Sequence, residues 1–177
     1  MKSIRLFIRS EPSKLRNRPH WVGRPWSSAG ESCHHAAITE ALRAAVMIHA
    51  DPQTVWAVLT DWSRAPEWMA GIDWVKTRSS GRLREGASLS FRVGDKDRPV
   101  EITALDEPRR LTLTSVEGPV RTDHTYSLMP SGAVTTLELV VCCRARNAAR
   151  LVGPLLRRAI RHNDADQPGA LKALIEA

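Results

Sequence analysis

From Gly71 to Ala145 apolar and polar positions alternate with a period of two, the pattern of antiparallel strands that cover one face and wet the other. Leu89, Phe91 and Val93 share one face, while Ser88, Ser90 and Arg92 take the opposite one. The same parity predicts inner rows at Val100, Ile102 and Ala104, at Leu111, Leu113 and Ser115, at Thr122, His124, Tyr126 and Leu128, and at Leu137, Leu139, Val141 and Cys143. Turn-forming residues separate these rows at Asp106 to Pro108 and at Pro130-Ser131-Gly132, so a meander is the simplest topology. In the segment from Ile72, Trp74 and Val75 compete for the interior, and parity admits only one. Trp74 is assigned inward.

Upstream, Ala44 to His49 reads as a first strand, whereas Thr39 to Ala45 fits either a strand extension or a short helical turn. Asp51 followed by Pro52 is a helix start: the carboxylate can accept from free backbone N–H groups, and proline loses no hydrogen bond at the first helical position. Val55, Trp56, Val58 and Leu59 give that helix an apolar side, and Ser63 with Pro66 opens a second short helix reaching Trp68. Trp56, Trp62, Trp68 and Trp74 fall at equal intervals, but they cannot form one helical stripe. Six residues turn an α-helix by about 600°, which points successive rings about 240° apart.

Near the C-terminus Leu151, Val152, Leu155, Leu156, Ala159 and Ile160 recur at the spacing of an apolar helical stripe, with Arg157, Arg158 and Arg161 mainly on the outer side. Pro154 belongs in the first turn, where its missing N–H has no partner to lose, so the helix should start near Arg150 or Leu151. Pro168-Gly169 interrupts the pattern before Leu171, Leu174 and Ile175, and a kink or a second short helix is expected there.

The ordered set of a strand, then A-D-P-x-x-V-W-x-V-L-T-D-W, then P-E-W-M, a run of strands and a C-terminal helix resembles the polyketide cyclase/dehydrase branch of the START-like (SRPBCC) superfamily. The resemblance covers roughly residues 42 to 177. It implies an α+β helix-grip fold: a curved antiparallel sheet of six to seven strands wrapped around a long C-terminal helix, two short helices between strands 1 and 2, and a mostly apolar cavity. Such scaffolds host many functions, so the likeness speaks to fold more than to substrate. The break at Pro168-Gly169 departs from the family's often continuous helix.

Charge changes the picture less than its total suggests. The chain of 177 residues carries a formal +7, of which residues 1 to 41 hold +4, leaving +3 for a domain at 42 to 177. Residues 1 to 41 read as a basic, weakly ordered extension with Pro12, Pro19, Pro25, Trp21 and Trp26. A phosphate-touching arm and a passive or transit-type leader are both compatible with it, and no nucleic-acid motif accompanies the charge. Cys33, Cys142 and Cys143 are odd in number, and the last two are strand neighbours facing opposite ways, so no disulfide framework is expected and a reducing cytoplasm is the natural location. No apolar run approaches the ~20 residues of a membrane helix.

Candidate chemistry is sparse. Cys33, His34 and His35 lack the spaced pairs of a tetrahedral site, and there is no Gly-rich phosphate loop or serine nucleophile motif, so neither metal nor cofactor is expected. His124 is the one imidazole that parity places inside, two residues from Tyr126 on the same face. An imidazole exchanges protons near neutrality and a phenol can polarise a carbonyl, a pair suited to aldol cyclisation or dehydration of a poly-carbonyl compound. The competing reading is a histidine satisfied in a polar part of the core, since no inward carboxylate is evident to orient it. Three functions therefore stand: binding of a small hydrophobic or aromatic ligand by Trp68, Trp74, Phe91, Leu113, Tyr126, Leu151 and Leu155; a cyclase or dehydratase using His124 and Tyr126; and an interaction protein working through its basic arm.

Overall fold

The structure is a computed structural model and describes residues 39–78, 83–145 and 153–177. The strand-like segment before the helices is a single long strand, β1 (Thr39–Ile48), which settles the ambiguous residues Thr39 to Ala45 as strand. The chain then forms α1 (Pro52–Leu59), a 3₁₀ turn (Trp62–Arg64), α2 (Ala65–Trp68), β2 (Trp74–Thr77), β3 (Ser88–Val93), β4 (Lys96–Asp106), β5 (Arg110–Glu117), β6 (Val120–Ser131), β7 (Val134–Ala145), α3 (Gly153–Asp164) and α4 (Gln167–Glu176).

Local chemistry sets these boundaries. Asp51 accepts from the Thr54 amide at 3.0 Å and from its hydroxyl at 2.7 Å, which caps α1 while Val55, Trp56 and Leu59 turn into the core. Asp61 repeats the device two residues before Ser63, whose amide and hydroxyl donate to it at 3.1 and 2.6 Å. A strand therefore passes into two short helices with almost no loop.

The sheet has seven antiparallel strands in the order β1-β7-β6-β5-β4-β3-β2. Strands β2 to β7 form the expected meander, and β1 pairs at the far edge beside β7. Cross-strand partners share a face, so the inner rows align as Leu111–Tyr126–Leu139 and Leu113–His124–Val141. Leu111, Leu137, Leu139 and Val141 are fully buried in this row system.

Two face assignments are corrected. Val75 pairs with Phe91 and is buried, whereas Trp74 pairs with Arg92 on the outer face, where the Lys76 ammonium lies 4.3 Å from its ring centroid. The inner partner on β3 decides the parity of β2. In β4 a register shift between Ile102 and Ala104 reverses the alternation, so Leu105 opposes Leu111 and Ala104 opposes Thr112. The bulged Thr103 hydroxyl meets that of Thr114 at 2.8 Å.

The C-terminal helical segment is divided at Ala165-Asp166, just ahead of Pro168, which then occupies the first turn of α4. There its missing N–H costs nothing, so the break precedes the proline instead of following it. Leu171 is fully buried, and α4 packs against β1 and α2. The Arg161 Nε donates to the Ala41 carbonyl at 3.0 Å, and Glu176 accepts from the His49 amide at 2.8 Å, tying both helices to β1. A curved antiparallel sheet closed by this segment, with short helices between β1 and β2, is the helix-grip fold. Among the described residues no helix is long and apolar enough to cross a membrane.

Candidate functional site

Between the sheet's inner face and the α3–α4 junction lies a cavity of about 470 Å³. Its apolar wall is built by Met69, Ile72, Phe91, Val93, Val100 and Leu113. Its polar wall is formed by His124, beside Leu113 on the sheet, and by His162, Asn163, Asp164 and Gln167 from the α3–α4 junction, and the sheet residues Arg98, Ser115 and Glu117 complete the lining. Arg98 and Glu117 are ion-paired. Gly71 contributes backbone to the lining at φ +79°, a left-handed conformation that a side chain would strain as α2 gives way to β2.

A continuous hydrogen-bonded chain runs along the polar wall. The His124 Nε2 lies 3.2 Å from Asp164 Oδ2, the Gln167 Nε2 donates to Asp164 Oδ1 at 2.9 Å, and the Tyr126 hydroxyl donates to Gln167 Oε1 at 2.7 Å. Two strand residues of β6 are thereby joined to the last residue of α3 and the first of α4. An ionised carboxylate only accepts, so Asp164 selects the Nε2–H form of the imidazole and leaves Nδ1 as its basic nitrogen. Burial, and secondarily the Asp164 charge, pushes the Tyr126 phenol far above its ordinary range.

Among the ligand candidates, Phe91, Leu113 and Tyr126 line the cavity together with His124. Trp68 lies behind it, 2% exposed and edge-on to Tyr126 at 5.9 Å between ring centroids. Trp74 is on the outer face and Leu155 points to solvent at 69% exposed, so neither touches the cavity. Leu151 lies outside the described residues, as do Cys33, His34, His35 and almost all of the basic extension. Trp62 stands 6.4 Å from the Phe91 ring and backs the apolar wall.

The inward carboxylate missing from the strand pattern comes from a helix. Sheet parity does not reveal Asp164 and Gln167, because both are carried by helices. Ile160, Asp164, Gln167 and Leu171 nevertheless fall at i, i+4, i+7 and i+11, one helical face whose apolar ends are both buried. Cys143, also on the inner face, is a core thiol: burial pushes it up, away from the thiolate a nucleophile needs. Among the described residues no group of three or more His, Cys, Asp or Glu side chains could hold a metal ion.

The family described as "Polyketide cyclase / dehydrase and lipid transport" matches residues 39–176, and the chain belongs to it. No curated protein matches significantly. Among solved structures, the Zhui aromatase/cyclase from a Streptomyces species is similar at 18% identity and TM-score 0.60, with 78% of this chain and 94% of that one covered. A START superfamily protein from Mycobacterium smegmatis is similar at 14% identity and TM-score 0.62, covering 76% and 96%. At these identities the likeness is one of fold.

Proposed function

Starting from membership of the polyketide cyclase/dehydrase and lipid transport family, we propose that the chain binds a small, flat, largely apolar molecule bearing oxygen functions, held between sheet and C-terminal helices. The observation that carries this is the division of one cavity into an apolar wall and a hydrogen-bonding wall. A purely aliphatic ligand would desolvate the groups of the second wall that the internal hydrogen-bonded chain leaves available, His124 Nδ1 first among them, at about 1–3 kcal/mol for each group left unpaired. An aromatic ketone or phenol satisfies both walls at once.

Binding of a naphthol tests this, read by fluorescence or calorimetry and compared with Ser115→Trp, which fills the cavity from β5 without burying a charge. Wild type should bind and the filled variant should lose at least about tenfold in affinity, each tenfold being about 1.4 kcal/mol. Equal binding by a folded Ser115→Trp protein would place the ligand elsewhere.

The His124–Asp164 pair favours a second reading, proton transfer on a poly-β-ketone. His124 Nδ1 takes a proton from the activated carbon between two carbonyls, and the resulting enolate carbon bonds to a third carbonyl carbon. The alkoxide so formed recovers the proton from the imidazolium. Loss of a second carbon-bound proton with that hydroxyl releases one water and leaves a double bond, with the dyad returned to its starting state. His124→Ala should abolish turnover while naphthol binding persists; undiminished turnover removes His124 from the chemistry.

A further inference from the structure

The carboxylate that faces His124 is itself held by Gln167, whose amide is engaged at both ends by protein partners. We propose that Gln167, locked by the Tyr126 hydroxyl, is a positioning residue that fixes the Asp164 carboxylate and through it the Nε2–H form of His124. This rests on the proton-transfer reading above.

The argument turns on which way the Gln167 amide faces. Its two ends are similar in shape but opposite in role, one donating and one accepting. Asp164 Oδ1, as part of an ionised carboxylate, requires a donor, so Nε2 must face it and Oε1 must face away. Tyr126 Oη is the atom Oε1 then meets, and the phenol can satisfy it only by donating. Each orientation in the chain follows from the one before, with no free rotor left inside: Tyr126 is 1% exposed and Gln167 7%. Trp68 packs edge-on against the Tyr126 ring and removes its freedom to swing.

Placement across the helix break adds the second constraint. Asp164 ends α3 and Gln167 begins α4, so the carboxylate is held both by its own helix and by the next one. Among the described residues α3 buries only Ile160, whereas α4 buries Gln167, Pro168 and Leu171. The better-packed helix thus steadies a side chain carried by the weaker one. Tyr126 accordingly serves as a buried anchor, and its proton is committed to Gln167 instead of a ligand carbonyl.

The test uses full-length protein with 15N-labelled imidazoles, in which ring-nitrogen shifts report the tautomer of His124. Wild type should show a single Nε2–H form, and Asp164→Asn should lose it. Gln167→Met, which keeps the volume and removes both hydrogen bonds, should give a tautomer mixture and lower kcat on a poly-β-ketone probe by about 10–100-fold with KM little changed. Tyr126→Phe should produce a smaller change in the same direction, and it serves as the second variant if Gln167→Met does not fold. A folded Gln167→Met or Tyr126→Phe protein with the wild-type tautomer and kcat would overturn the proposal. Absence of a fixed tautomer in wild type would overturn it too, at the level of the dyad. If the tautomer depends on Gln167 but no poly-β-ketone is turned over, positioning stands and the proton-transfer reading alone fails.

Discussion

Tyr126 is the only tyrosine in the chain, so its ionisation can be followed without interference from another phenol. Its hydroxyl is buried and donates to Gln167, and burial together with the nearby Asp164 charge raises its pKa above the ordinary 10.0. Because the folded value lies above the unfolded one, the phenol contributes stability that is complete below pH 10.0 and is lost as pH rises toward the folded value. Absorbance near 295 nm and circular dichroism, recorded together on an alkaline titration, should change in one step, ionisation waiting for unfolding. A phenolate forming near pH 10.0 with the fold intact would contradict the buried hydrogen bond. Tyr126→Phe should cost about 1–3 kcal/mol, since Gln167 Oε1 then stays buried without a donor. Parity alone put His124 and Tyr126 on one inner face, and it did so correctly because residues two apart in a strand must share a side. What the hydroxyl does was not legible, since its partner lies 41 positions away on a helix.

At the level of elements, legibility depended on whether a local rule could decide. The Asp51-Pro52 start of α1 was readable because capping is a short-range matter between neighbours. The Ala104 assignment failed because one extra residue in β4 inverts all later positions, and the shift is imposed by pairing with β5. Trp74 failed for the same kind of reason, as Phe91 across the strand pair chose Val75. The helix break was anticipated at Pro168-Gly169 but lies at Ala165-Asp166, because proline is tolerated in a first turn. Helix α4 closes the core through Leu171, which is fully buried. Leu171→Ala should therefore cost about 2–5 kcal/mol in urea unfolding, with a lower midpoint. Lys172→Ala, one position along and facing out with a 3.7 Å pair to Glu176, should stay within about 0.5 kcal/mol. Equal effects from the two would mean that α4 is not part of the cooperative core.

At the scale of the molecule, the ordered set of motifs carried the architecture, since the seven strands and four α-helices among the described residues leave, in this order, few ways to cover one sheet face. The occupant of the cavity was beyond the sequence for a physical reason. Apolar lining residues set size and greasiness, and the polar wall is assembled from β6, α3 and α4 only after folding. The described strands and helices and all of the His124–Asp164–Gln167–Tyr126 chain fall within residues 39–176, the span shared with the family. A chain truncated to Thr39–Ala177 is therefore expected to keep one cooperative unfolding transition and the naphthol affinity of the full-length protein. Removing residues 1–38 takes away a large share of the +7 charge, so binding of any polyanion should weaken and lose its salt dependence. Calorimetry on both chains and a salt series with a short oligonucleotide separate the two effects. Loss of naphthol binding on truncation would make the N-terminal residues part of the site and refute the self-sufficiency of the domain.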